Sequence, residues 1–413
     1  MRFRGRPDAV QHARRLTPPG VTARLRYLRI ALAAAYACGM LSSPGLWFGT
    51  GRTFPRAPLL NALPAFLSAA DYLASVLLFA ALALTAISRR PGPYLACALA
   101  LTALLVVLDQ TRLQPWVYQY FLMLGVLACG RWGEANEAAA GRTLAASQLI
   151  IAALYFWSGA QKLNWSFGHE VMPALLASAG VRWPGADAAY LPVAGLVVAA
   201  CEAFIGIALL VRITRRAAVV LALAMHSLLL LILVAASHNS VVWAWNAGMM
   251  VMVGLLFWRM DQPHDWRTLG RWRGAESAGH SVRAVLLLCG LAPALSFAGW
   301  WDLYLSAALY SGNAPVAVAR ISEPVRAMLP ASAGRQVFAT GRGELMLPFY
   351  EWSLAELNVP PYPEVRVYRQ LARELCRSAG GPEEIELIVK ESPSRLDGGY
   401  AVSRADCSAL FSR

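Results

Sequence analysis

The chain has 413 residues, of which 57% are hydrophobic and only 15% charged, and its formal charge is +13. Apolar runs close to the roughly 20 residues that cross a bilayer core fill most of the chain before its last hundred or so positions. That excludes a soluble enzyme. The positive excess is arginine placed between apolar runs, the pattern that orients membrane spans, so it argues against a nucleic-acid partner and for membrane lipid.

In chain order, an Arg-rich tail, 1–23, offers no cleavable signal and is followed by nine expected spans: 24–46, 66–87, 92–109, 113–130, 143–162, 190–211, 216–236, 241–259 and 282–300. The fourth is short, limited by Arg112 and Pro115, and opens on Trp116, Tyr118 and Tyr120 as an interfacial aromatic belt. If all nine runs cross, the arginines of the tail fall on one side with Arg89, Arg90, Arg131, Arg142, Arg212, Arg215, Arg216, Arg259, Arg267, Arg271, Arg273 and Arg283. The opposite connections are poor in basic residues. The positive-inside rule then puts the N-terminus in the cytoplasm, the C-terminus outside, and the protein in the cytoplasmic (inner) membrane.

The expected architecture is an all-α polytopic membrane domain, 24–302, with a small exported α+β domain, 303–413. Within the latter, Phe338–Phe349 suggests a hairpin about Gly341-Arg342-Gly343, and Val359–Pro363 an extended connection, because each proline restrains its predecessor. Glu364–Cys376 has helical periodicity and Glu384–Val389 alternates like a half-buried strand. Cys376 and Cys407 can form a disulfide in an oxidising compartment. The other five, Cys38, Cys97, Cys129, Cys201 and Cys289, read as small buried hydrophobes. No metal, phosphate-loop or triad spacing occurs in this domain, so a binding role toward an envelope protein is its plainest use.

Lys162 is one of only two lysines, against thirty-five arginines, and ends an otherwise apolar helix. Tyr155, Ser158 or Gly159, and Lys162 share one face of that helix. Asp109, His238, Trp243 and Trp301 are expected at the same membrane side, which together describes a polar cleft. An ammonium near hydrocarbon must be paired, reach the head groups or lose its proton. Two readings follow: Lys162 as a proton-accepting amine supported by Asp109 or an imidazole, or Lys162 snorkelling to the surface while Asp109 pairs with Arg112. Deeper, Glu202 and His226 occupy the middles of consecutive spans and read as a pair, structural or proton-relaying. Gln148 reads as an interhelical hydrogen-bonding residue.

Tyr155-Phe156 with Gly159, Lys162, Leu163 and Trp165, preceded by Leu108-Asp109 and by Tyr118 and Tyr120, resembles the membrane domain of the vitamin K-dependent gamma-carboxylase-like family, also called the horizontally transferred transmembrane domain. The resemblance covers residues 20–305. It implies an oxidoreductase or lyase acting with a quinone or quinol, with Lys162 as the quinol-activating base and Asp109 in support. Apart from the resemblance, His238 can supply an imidazole from another loop, and Tyr155, Trp116, Trp243 and Trp301 can line a flat hydrophobic cofactor. The family carries a histidine seven residues after the aspartate, where this chain has Trp116. The short exported tail also departs from the carboxylase's substrate-binding portion. A non-catalytic scaffold and a proton-coupled transporter using Glu202 and His226 are the competing readings.

Overall fold

The computed structural model describes residues 20–60, 68–130, 137–181, 190–259, 283–377, 381 and 383–412. The Arg-rich tail before residue 20 and the loop with Arg267, Arg271 and Arg273 lie outside them. Helices occupy all nine expected segments: α1 Val21–Ser42, α2 Ser68–Ile87, α3 Gly92–Leu108, α4 Pro115–Cys129, α5 Glu137–Lys162, α6 Leu191–Leu210, α7 Arg215–Ala235, α8 Ser240–Phe257 and α9 Arg283–Ala298. Five of them (α2, α5, α6, α7 and α8) are long and apolar enough to cross a membrane, while α3, α4 and α9 are apolar but shorter. The protein is thus a membrane protein by its helices.

Small residues decide how α5 meets α6. A Cβ on Gly159 would lie 2.3 Å from the Ala203 nitrogen and 2.5 Å from the Ala199 oxygen, and one on Gly206 would lie 2.5 Å from the Ala152 oxygen. Only glycine lets the backbones approach this closely, as at other membrane helix crossings. Beyond the end of α5 the chain stays against α6, with Gly168 packed on Pro192. α6 therefore begins further out than α5 ends.

Arginines near the span ends reach in and cap helix C-termini. Arg24 donates to the Leu255 carbonyl at the end of α8 (2.9 Å), Arg29 to Ser88 just past α2 (2.8 Å), and Arg215 to Leu209 of α6 (3.0 Å). Each satisfies a carbonyl left free by the helix end and places positive charge at its negative pole. Gln148 donates to the Leu256 carbonyl at 2.5 Å, the interhelical bond expected of it. Four cysteines expected to be buried, Cys38, Cys97, Cys129 and Cys201, instead lie exposed on the bundle's outer faces, and only Cys289 is buried. An apolar run has a lipid-facing side as well as a packed one, and composition does not separate them.

The C-terminal domain is an antiparallel five-stranded sheet in the order β2-β3-β1-β4-β5, made of β1 Val316–Ile321, β2 Phe338–Ala339, β3 Leu345–Pro348, β4 Ile385–Lys390 and β5 Val402–Asp406. Helices α10 Phe349–Leu357 and α11 Val365–Cys376 accompany it. The expected hairpin is present, with Phe338 opposite Met346 and Gly343 at φ +80° in its turn. Val367, Tyr368, Leu371, Ala372 and Leu375 form the buried stripe of α11, and Ile385, Leu387 and Val389 the buried face of β4. A disulfide joins Cys376 to Cys407, with Cα atoms 5.7 Å apart.

This domain sits on the helix bundle. Glu356 accepts hydrogen bonds from the Thr53 and Phe54 nitrogens, the Thr53 and Ser332 hydroxyls and the Trp352 indole. Burial alone would raise its pKa, but these donors outweigh it and hold Glu356 below the ordinary carboxylate range. Asn358 donates to the Ser42 carbonyl and the Ser240 hydroxyl, both at 2.7 Å, and Gln114 to the Pro360 carbonyl at 3.0 Å. The domain therefore touches the C-terminal end of α1 and the N-terminal ends of α4 and α8.

Candidate functional site

Lys162 lies in the last turn of α5, and its ammonium donates to both carboxylate oxygens of Glu202 on α6, at 2.9 and 3.1 Å. It also donates to the Ser158 hydroxyl at 2.6 Å, one turn back on its own helix. Each side chain of the ion pair keeps 14% of its surface exposed, so the pair is sheltered yet reachable. The Gly159 crossing is what sets these groups level, because it presses α5 against Ala199 and Ala203 on either side of Glu202.

A second polar chain starts one turn below. Tyr155 meets His226 Nε2 on α7 at 2.5 Å, and His226 Nδ1 meets Asn246 Oδ1 on α8 at 2.6 Å. The Asn246 amide nitrogen donates to the Val242 carbonyl at 2.7 Å, so its oxygen is the acceptor. A neutral His226 then carries its proton on Nδ1 and accepts from the tyrosine hydroxyl on Nε2. Four helices thus supply six polar side chains to one region of an apolar bundle, and the shared face of Tyr155, Ser158 and Lys162 is as the helical spacing requires. The direct Glu202–His226 pair expected from their depths gives way to two separate sets of bonds, Glu202 with Lys162, and His226 with Tyr155 and Asn246. The offset start of α6 is the reason, since it brings the middle of that helix level with the end of α5.

One further turn along, a cavity of about 190 Å³ opens between α5, α6 and α9, lined by Leu149, Ala152, Phe156, Gly206, Leu286 and Cys289 among others. Its walls are almost entirely apolar. Such a space fits a hydrocarbon chain far better than a polar substrate.

Asp109 belongs to a different cluster. It accepts from Arg52 at 2.5 Å and from the nitrogens of Thr111 and Ala57 at 3.0 and 3.2 Å, and it is wholly buried. Arg112 instead grips Asp71 through two bonds of 2.5 and 2.7 Å, donates to the Leu46 carbonyl and lies over the Trp47 ring. The expected Asp109–Arg112 pair is thus exchanged for two others, and no bond joins Asp109 to Lys162. Every oxygen of both aspartates is engaged, which gives this cluster the character of a packed structural joint.

The remaining expected site residues are dispersed. Trp116 is 1% exposed and packs edge-on against Tyr36, ring centres 5.6 Å apart, in the bundle core. Trp243 donates to the His238 carbonyl at 2.9 Å, and the His238 ring faces Tyr310 at 5.7 Å. Burial lowers the His238 pKa from the ordinary imidazole value. Trp301 is half-buried beside Asp302 at the entry to the C-terminal domain. Residues that sequence reasoning passed over include Gln161, Asn164, Asn313 and Arg395, which surround the end of α5. A glutamine next to the rare lysine was the one signal in the sequence, and the structure buries it completely. Comparison of the chain with protein-family models, with curated proteins and with solved structures finds no match.

Proposed function

We propose that the chain is a nine-span membrane enzyme of the gamma-carboxylase-like kind, an oxidoreductase or lyase acting with a quinone-like lipid-soluble cofactor at Lys162. The observation that carries this reading is the sheltered Lys162–Ser158–Glu202 cluster, with an apolar cavity one turn away. The first suits a hydroxyl or carbonyl head group and the second its tail. When bound, a quinol-type cofactor supplies the redox chemistry.

The residues supply proton handling. An ammonium–carboxylate pair interconverts with amine and carboxylic acid by moving one proton along the 2.9 Å bond from Lys162 to Glu202. The Lys162 amine then has a lone pair for the proton of a bound hydroxyl, and the regained ammonium stabilises the oxyanion left behind. Ser158 holds the nitrogen in place throughout. Tyr155, His226 and Asn246 form a second hydrogen-bonded line, closed at its far end by the Asn246 amide on the Val242 carbonyl, which fixes the Tyr155 hydroxyl one turn from Ser158. Asp109 is assigned to structure.

Orientation is part of the proposal: N-terminus in the cytoplasm, C-terminal domain outside the inner membrane. It is supported by the arginine distribution, by the domain meeting alternate helix ends as nine crossings require, and by the Cys376–Cys407 disulfide, which suits an oxidising compartment. Protein in lipid nanodiscs, assayed for quinone binding and quinol-dependent turnover, should lose turnover on Lys162→Ala and on Glu202→Gln. Equal turnover in all three forms would reject the role of the pair.

A second reading, a scaffold binding an envelope protein, draws on the outer edge of β5, where Val402 is 48% exposed and no further strand follows among the described residues. Such an edge can accept another strand. Crosslinking of the full protein in envelopes that recovers nothing above background would count against it.

A further inference from the structure

The last turn of α5 is completed by a residue from the other end of the chain. Arg395 lies in the loop between β4 and β5. Its guanidinium donates to the carbonyls of Ala160 and Gln161 at 2.7 and 3.1 Å and to the Gln161 side-chain oxygen at 3.2 Å. It rests on the Phe297 ring of α9, 4.3 Å from the centroid. The Arg395 carbonyl accepts from the Trp165 nitrogen at 2.8 Å, so both its ends are tied to the segment around Lys162. Gly398, at φ +73°, lets the same loop close on the Trp165 ring: a Cβ there would lie 2.3 Å from it.

Gln161 extends the joint. It is fully buried, donates to the Ser296 hydroxyl at 2.7 Å and accepts from the Asn313 amide at 2.7 Å. Asn164 donates to the Gln161 and Ser311 carbonyls, each at 2.7 Å. Lys162 therefore sits between residues whose positions are set by α9 and by the C-terminal domain. Its ammonium hydrogen-bonds to Ser158 and Glu202 and to no residue of that domain.

We propose that Arg395 is a positioning residue for Lys162, through which the C-terminal domain holds the last turn of α5 and keeps the ammonium on Glu202. This rests on the reading of Lys162 as the working group, but its test does not need turnover. Lys162 and Lys390 are the only lysines, so pulse acetylation with acetic anhydride in nanodiscs, read by mass spectrometry, reports Lys162 directly. Lys390, at the start of the same loop, monitors the loop itself.

Arg395→Ala should speed Lys162 acetylation at least about tenfold, the factor that losing even one of its three charge-assisted hydrogen bonds gives. Arg395→Lys, which keeps one donor in reach of the carbonyls, should restore most of the protection. Arg404→Ala, which removes a partner of Glu386 on the sheet, should leave Lys162 at the wild-type rate. A Lys162 rate unmoved by Arg395→Ala, or raised equally by Arg404→Ala, would overturn the proposal. Protection that follows Arg395 in a protein without quinol turnover would uphold the positioning role while removing the enzymatic one.

Discussion

Replacing Glu364 by glutamine isolates a pH-dependent strain where the C-terminal domain joins the bundle. Glu364 accepts from the Leu303 nitrogen at 3.1 Å, and its carboxylate shares Arg366 with Asp302, which takes two bonds from that arginine and one from the Tyr362 hydroxyl. Burial first, and then the Asp302 charge, push the Glu364 pKa from 4.5 up to about 7. The folded joint thus holds a proton that the unfolded chain releases near pH 4.5. Its stability contribution is full below that pH and is lost as pH rises through about 7. At about 1.36 kcal/mol per unit the shift would correspond to ~3.4 kcal/mol, and solvent screening of this partly exposed group reduces that to about 2 kcal/mol. Glutamine resembles the protonated acid and keeps the acceptor for Leu303. Glu364→Gln should therefore match wild type at pH 4.5 and protect the joint about 30-fold more at pH 8, measured as hydrogen exchange of the peptides around Leu303 and Tyr362 at matched pH. A ratio independent of pH would refute the assignment. Glu356, held low by its donors, acts with the opposite sign and only below about pH 4.5.

Three further outcomes follow from packing and pairing. Gly159→Ala must separate α5 from α6 and should cost at least about 1–3 kcal/mol, whereas Gly141→Ala, which meets open space, should gain up to about 1 kcal/mol; thermal unfolding in detergent that ranks them the other way would refute the crossing. Glu202→Gln should cost about 2–4 kcal/mol by stranding the Lys162 charge, and a cycle with Lys162→Met should show a coupling of about 1–3 kcal/mol; additive melts would mean the pair contributes nothing. Replacing Cys376 and Cys407 together by serine opens a link across 31 positions and should destabilise the C-terminal domain by about 3–4 kcal/mol, seen as faster proteolysis of that domain; unchanged proteolysis would argue against the bond.

What could be read in advance separates cleanly from what could not. The helices were legible because each is a long apolar run, and the face shared by Tyr155, Ser158 and Lys162 because helical spacing alone determines it. The partners of that face were not, because depth was counted from span ends as if all helices began level. α6 does not: its outer turns pack on Gly168, and its small residues Ala199, Ala203 and Gly206 set where it meets α5. A carboxylate counted to the midplane thereby arrives beside a lysine at a helix end. The same limit applies to Arg52 and Arg112, whose long side chains select aspartates 57 and 41 positions away rather than the nearest in sequence. In the C-terminal domain α11 and β4 had visible periodicity. The central strand β1 did not, because two of the three residues on its buried face are Ala317 and Ala319, small residues with weak strand preference that only the flanking β3 and β4 make sense of. Arg395 is the extreme case: its partners lie 234 and 235 positions away, and nothing local distinguishes it from the other arginines. The residues that define the candidate site were visible by type, and the register between helices, set by glycines and alanines with no chemistry of their own, decided which of them meet.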